Sequence, residues 1–149
     1  MDEREGDREF EPKILAFTCN WSSYSSADQA GISKIGYPPN VQIIKVMCSG
    51  RVDPIFVVEA FINGADGVLI AACHPNYCRY YSGNKYAKTR VKFLKMLMEE
   101  VGIEPARLRI EWISALEGRK FVEVIQEMVK ELKEIGPLLT NNEGESTHE

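Results

Sequence analysis

Gly67-Val68-Leu69-Ile70-Ala71-Ala72-Cys73-His74-Pro75-Asn76-Tyr77-Cys78 is the stretch that decides how this chain folds. A short unbroken run of small and apolar residues, closed by turn formers, has the length and composition of a strand buried on both faces. Such strands belong to parallel sheets covered by helices. A cysteine that follows the run stands at a strand's carboxyl end, the edge where open α/β sheets bind their ligands.

Ile14 to Phe17, Val41 to Met47 and Leu108 to Ile113 are further apolar runs of strand length, rich in Ile, Val and Leu. Amphipathic segments fall between them. Asp53-Pro54 reads as an N-cap followed by proline at the first helical position, with Phe56, Val57, Ala60 and Phe61 behind it and Gly64 as a stop. From about Asn84 to Val101, Val91, Leu94, Met98 and Val101 recur at three- and four-residue spacing, and Gly102 ends the helix. Ser114 and Glu117 are spaced as a capping box ahead of the stripe Phe121, Ile125, Met128, Val129 and Leu132. Tyr24 to Ile35 is ambiguous: its serines favour turns, while Ala27, Ala30 and Ile32 allow a short helix. The resulting β-α-β-α-β-α-β-α order predicts a single α/β domain with a mostly parallel four-stranded sheet between right-handed crossovers, compatible with a flavodoxin-like strand order.

The chain has 149 residues, enough for one domain with a real core, which we place at residues 12–138 between charged or polar tails at 1–11 and 139–149 that are expected to be flexible. Hydrophobic residues at 44% and charged residues at 27% are ordinary for a globular domain. A formal net charge of -4 argues against nucleic acid as a partner, because phosphate binding needs a basic footprint. No apolar stretch approaches the length of a membrane span, and Met1 to Glu11 has no secretory apolar segment, so a cytoplasmic location is expected.

On this layout Cys19, Cys48 and Cys73 follow three successive strands, and Cys78 lies in the same loop as Cys73. In a reducing compartment four such thiols point to a soft-metal site more than to disulfides or to inert buried cysteines. By count alone they suit zinc, a 2Fe-2S or a 4Fe-4S cluster, although zinc modules usually place thiols in closer pairs. His74 is a candidate fifth ligand; Arg51 and Arg79 are candidate neighbours that offset thiolate charge. Cys73 and Arg79 are also spaced as in cysteine phosphatases, but Pro75 removes an N–H donor and no glycine lets backbone approach a phosphate. Neither a catalytic carboxylate pair nor a phosphate-binding glycine loop is evident.

Cys19-Asn20-Trp21, Cys48-Ser49-Gly50-Arg51-Val52-Asp53-Pro54, Gly64-Ala65-Asp66-Gly67-Val68, Cys73-His74-Pro75 through Cys78, Gly83-Asn84 and Glu111-Trp112-Ile113-Ser114-Ala115 together resemble the small iron-sulfur (delta) subunit of methyl-viologen-reducing hydrogenase. The resemblance runs from about Ile14 to Val129. It implies an electron-transfer subunit of a hetero-oligomeric complex, with no substrate of its own. Its 2Fe-2S cluster would relay electrons from a hydrogenase or formate dehydrogenase module to the flavin-containing subunit of heterodisulfide reductase. The family pattern has a further cysteine three positions after the first, where this chain has Ser22. The ligands carried over are therefore Cys19, Cys48, Cys73 and Cys78, unless Ser22 ligates through oxygen. Trp21 and Tyr24 would shield the cluster or meet a partner. The two other function classes are a zinc-stabilised interaction module and a phosphatase-like enzyme.

Overall fold

The computed structural model describes residues 9–32 and 40–138. The expected tails at 1–8 and 139–149, and residues 33–35 of the ambiguous first helical segment, lie outside the described residues.

Eight elements alternate as the apolar periodicity requires: β1 (Ile14–Cys19), α1 (Ser23–Ile32), β2 (Val41–Val46), α2 (Pro54–Ile62), β3 (Gly67–Ala72), α3 (Gly83–Glu100), β4 (Leu108–Trp112) and α4 (Gly118–Ile135). Short 3-10 turns at Ser49–Arg51 and Pro105–Arg107 complete the chain's regular structure among the described residues. The strands form one parallel sheet in the order β2-β1-β3-β4. Ile14 lies opposite both Val41 and Gly67, and Ala72 lies opposite Trp112, so the carboxyl ends are nearly level.

Alternation along the two inner strands builds a core on each face, as a doubly covered sheet demands. Ile14, Ala16, Leu69 and Ala71 point to one side, where they meet Ala27 of α1 and Phe121, Val124, Ile125 and Met128 of α4. Phe17, Val68 and Ile70 point to the other, against Val57 and Phe61 of α2 and Val91, Leu94 and Met98 of α3. The β2 run, expected to be buried, is instead an edge strand with a single strand neighbour, and its residues are half-buried or exposed.

Local chemistry explains most boundaries. Asp53 caps α2 by accepting from the Ile55 N–H at 2.9 Å, with Pro54 at the first helical position. Gly102, at φ +81°, ends α3 in a conformation that side chains disfavour, and Val101, expected on the buried stripe, is the exposed C-cap residue beyond the helix. The α4 start differs from the capping-box expectation: Glu117 does accept from the Ser114 N–H at 2.9 Å, but Ser114 to Glu117 forms a separate turn and the helix begins at Gly118. In α1, Ser23 is satisfied by tertiary partners. Ser23 Oγ accepts from the Cys19 N–H and donates to the Ala71 carbonyl, both at 2.7 Å, which turns a poor helix former into a weld between helix and sheet. Among the described residues no helix is long and apolar enough to cross a membrane.

Candidate metal centre

The level strand ends bring the thiols together. Cys19 is the last residue of β1, Cys73 directly follows β3, Cys48 opens the turn after β2, and Cys78 closes the loop that leads to α3. All four are free and buried. They form two pairs: Cys19 Sγ is 3.6 Å from Cys73 Sγ, and Cys48 Sγ is 3.9 Å from Cys78 Sγ. The first pair spans neighbouring strands β1 and β3; the second joins two loops. Among the described residues no three His, Cys, Asp or Glu side chains gather around a single point.

The second pair depends on glycine. A Cβ placed on Gly83 would lie 2.1 Å from Cys48 Sγ and 3.3 Å from Cys78 Sγ, and one on Gly50 would lie 2.8 Å from the Gly83 Cα. Only bare backbone lets the start of α3 approach this closely. Arg90 fastens the Cys48 turn to α3 by donating from Nη1 to the Gly50 carbonyl at 2.5 Å and to the Val52 carbonyl at 3.4 Å. Asn84, also buried, holds the other loop: its Nδ2 donates to the Cys73 and His74 carbonyls at 3.1 and 3.0 Å.

In each pair one thiol is made more acidic and its partner less. Cys19 is brought down to about 6, chiefly because the Cys73 thiol donates to it, with help from the Trp21 and Ser49 N–H groups and the Ser22 hydroxyl against the opposing effect of burial. Cys73 is pushed up by that same bond and by burial. Burial raises Cys48. Burial works against Cys78 too, but the N–H groups of Asn84, Tyr80 and Gly83 and the Cys48 thiol outweigh it and lower its pKa. Negative charge on Cys19 is thus met first by the Cys73 thiol and then by the Trp21 and Ser49 N–H groups, and on Cys78 by the Asn84, Tyr80 and Gly83 N–H groups.

The remaining expected residues are placed differently from one another. Ser22 is buried, with Oγ 3.2 Å from Cys73 Sγ. His74, a candidate ligand, turns its Nε2 to the Glu117 carboxylate. That carboxylate is held down to about 2 by the Ser114 N–H first and by His74 second. Arg79, expected beside the thiolates, stacks on the Trp21 ring at 3.9 Å, while Trp21 Nε1 donates to the Tyr80 hydroxyl at 3.2 Å. Arg51 is exposed and lines a cavity of about 750 Å³ with Cys48, Phe56, Tyr80, Gly83 and Tyr86. Trp21 borders a second cavity of about 360 Å³ beside Cys73. Tyr24 lies under Lys45, 4.8 Å from its Nζ, rather than at the thiols. Gly83, Asn84, Arg90 and Glu117 complete the site without having been assigned a role at it from the sequence; the Gly83-Asn84 pair was the available signal.

Residues 14–136 match the family model for FlpD, the methyl-viologen-reducing hydrogenase delta subunit. The chain belongs to that family. This family member is 50% identical over 129 residues, 87% of its own length and 94% of the relative's, to an iron-sulfur subunit of the F420-non-reducing hydrogenase of Archaeoglobus profundus. It is 54% identical over 127 residues, 85% of its length, to a subunit of the Ferredoxin/F(420)H(2)-dependent CoB-CoM heterodisulfide reductase of Methanosarcina acetivorans, of which it spans only 16%. The corresponding subunit of the Ferredoxin:CoB-CoM heterodisulfide reductase of Methanosarcina mazei is 52% identical over 127 residues and is likewise covered over 16% of its length.

Proposed function

We propose that this delta-family chain is an electron-transfer subunit that holds one 2Fe-2S cluster on Cys19, Cys48, Cys73 and Cys78. It relays electrons from a hydrogenase or formate dehydrogenase module to the flavin-containing subunit of heterodisulfide reductase. The observation that carries the reading is the two-by-two pairing of the thiols. A metal–thiolate bond of about 2.3 Å sets two sulfurs on one tetrahedral metal about 3.8 Å apart. The separations of 3.6 and 3.9 Å fit that edge twice over, one pair for each of two metal atoms. A single zinc ion would draw all four donors around one point, whereas these sulfurs meet as two pairs. The phosphatase-like reading needs an acidic Cys73 and an arginine facing it; here Cys73 is made less acidic and Arg79 stacks on Trp21.

Bound on these thiols, the cluster supplies reversible one-electron transfer. The chain's own part is to bury the sulfurs, aim backbone N–H groups at them and keep water away. The partner reading draws on the relatives: a domain that forms 16% of a heterodisulfide reductase polypeptide in one organism and matches a separate hydrogenase polypeptide in another is suited to sit between the two enzymes. Free thiols fit work in the reducing cytoplasm.

Anaerobic purification tests the cluster. The protein is expected to be brown, to contain iron and acid-labile sulfide in equal amounts, and to give an electron paramagnetic resonance signal on reduction. Cys19→Ser, Cys48→Ser, Cys73→Ser and Cys78→Ser should each perturb or destroy that signal. A colourless protein with stoichiometric zinc would sink the reading.

A further inference from the structure

Among the described residues, Ser22 brings the one hydroxyl that touches the thiol set. Its Oγ lies 3.2 Å from Cys73 Sγ in a buried position, and its backbone is fixed on both sides: the Ser22 N–H donates to the Cys19 carbonyl at 3.2 Å, and the Ser22 carbonyl accepts from the Ser26 N–H at 3.3 Å. That second bond makes Ser22 the capping residue of α1. A capping serine ordinarily turns its oxygen to an N–H of the helix's first turn. Here the contact runs to sulfur instead, and the neighbouring hydroxyls of Ser23 and Ser26 are committed to Ala71 and Ser23 carbonyls. The Ser22 side chain therefore serves the thiol edge rather than the helix.

In the metal-free protein the Cys73 proton can turn to Cys19 or to the Ser22 oxygen, so either partner of this contact can be the donor. Metal binding removes the ambiguity, because a thiol must lose its proton to become a ligand, which leaves the serine hydroxyl as the only donor. Four thiolates also complete two pairs without help from oxygen. Resting on the cluster reading above, we propose that Ser22 is not a ligand but a positioning residue, which donates its O–H to the Cys73 sulfur and raises the cluster's reduction potential. Reduction adds one electron and so one negative charge to the cluster and its sulfurs. A donor aimed at a ligand sulfur stabilises that extra charge more than it stabilises the oxidised form.

The test is an anaerobic dithionite titration of wild type, Ser22→Ala and Ser22→Thr, following the paramagnetic signal of the reduced cluster together with iron and sulfide content. Ser22→Ala should keep iron and sulfide at wild-type levels while its reduction becomes about tenfold harder, a fall of about 59 mV for one electron. Ser22→Thr, which retains a hydroxyl, should stay closer to wild type than alanine does. An unchanged potential in Ser22→Ala overturns the proposal and leaves the cluster reading standing. Loss of iron from Ser22→Ala with retention in Ser22→Thr overturns it in favour of an oxygen ligand, and loss from both overturns it in favour of a structural role. A wild-type protein without iron and sulfide overturns the cluster reading and the proposal with it.

Discussion

Gly83 and Glu117 show how single residues govern this edge of the molecule. Alanine is ordinarily the better helix former by about 1 kcal/mol, and Gly83 opens α3, so on propensity alone Gly83→Ala should stabilise the chain. The 2.1 Å approach of a Cβ to Cys48 Sγ forbids that gain without moving the sulfur. We expect Gly83→Ala to fold but to lose iron, measured as iron per chain alongside a thermal melt. Glu117 acts through charge. Its pKa, lowered from 4.5 to about 2, means that the folded chain favours the carboxylate more than the unfolded chain does. The stability this supplies is present above about pH 4.5 and is lost as the pH falls towards 2. The melting temperature of wild type should therefore fall more steeply between about pH 5 and 2 than that of Glu117→Gln; parallel curves would refute the assignment. Glu117 was not legible from the sequence as a part of the site, and Gly83 only as half of the Gly83-Asn84 motif, with no role attached. A glycine before a helix reads as ordinary punctuation, and Glu117 reads as a cap because half of a capping box is present, whereas its contact with His74 spans two separate loops.

Elements position what residues cannot. The strand ends were legible because an apolar run followed by a turn marks a carboxyl end whatever the fold's order. The pairing was not, because which cysteines meet depends on β1 lying between β2 and β3, and strand order leaves little mark in local sequence. The helix α1 was obscured for a related reason: its first serine, Ser23, is satisfied by Cys19 and Ala71, partners that exist only once β1 and β3 are side by side. In α3, Arg90 reaches from mid-helix to the Cys48 turn through the Gly50 and Val52 carbonyls. Removing a part-buried donor of this kind costs about 1–2 kcal/mol. Arg90→Met should therefore raise amide exchange at Arg51 and Val52, whose N–H groups close that turn, about tenfold or more, while exchange in β1 stays as in wild type.

Across the whole molecule, the two edges of the sheet carry different duties. The carboxyl edge is given to thiols; the amino edge is tied by a buried arginine. Arg107 donates to Glu104 at 2.8 Å, to the Asp66 carbonyl at 3.1 Å and to the Gly136 carbonyl at 2.8 Å, and Asp66 in turn accepts from the Lys13 and Leu138 N–H groups. Arg107→Ala leaves the buried Asp66 carbonyl and the part-buried Gly136 carbonyl without this donor and should cost about 2–4 kcal/mol, a fall in Tm on the order of 10 °C. At low temperature the visible spectrum of the reconstituted protein should be unaffected, since the lesion sits at the other end of the strands.

The pairing of Cys19 with Cys73 also dictates a sequence of events during biogenesis. These two sulfurs are 54 positions apart and become neighbours only when β3 has docked beside β1 after a full crossover, a non-local step that must bear its loop-closure cost first. A chain emerging from the ribosome cannot present the Cys19–Cys73 pair until that step is over, so on the cluster reading this half of the site would form only after β3 has docked.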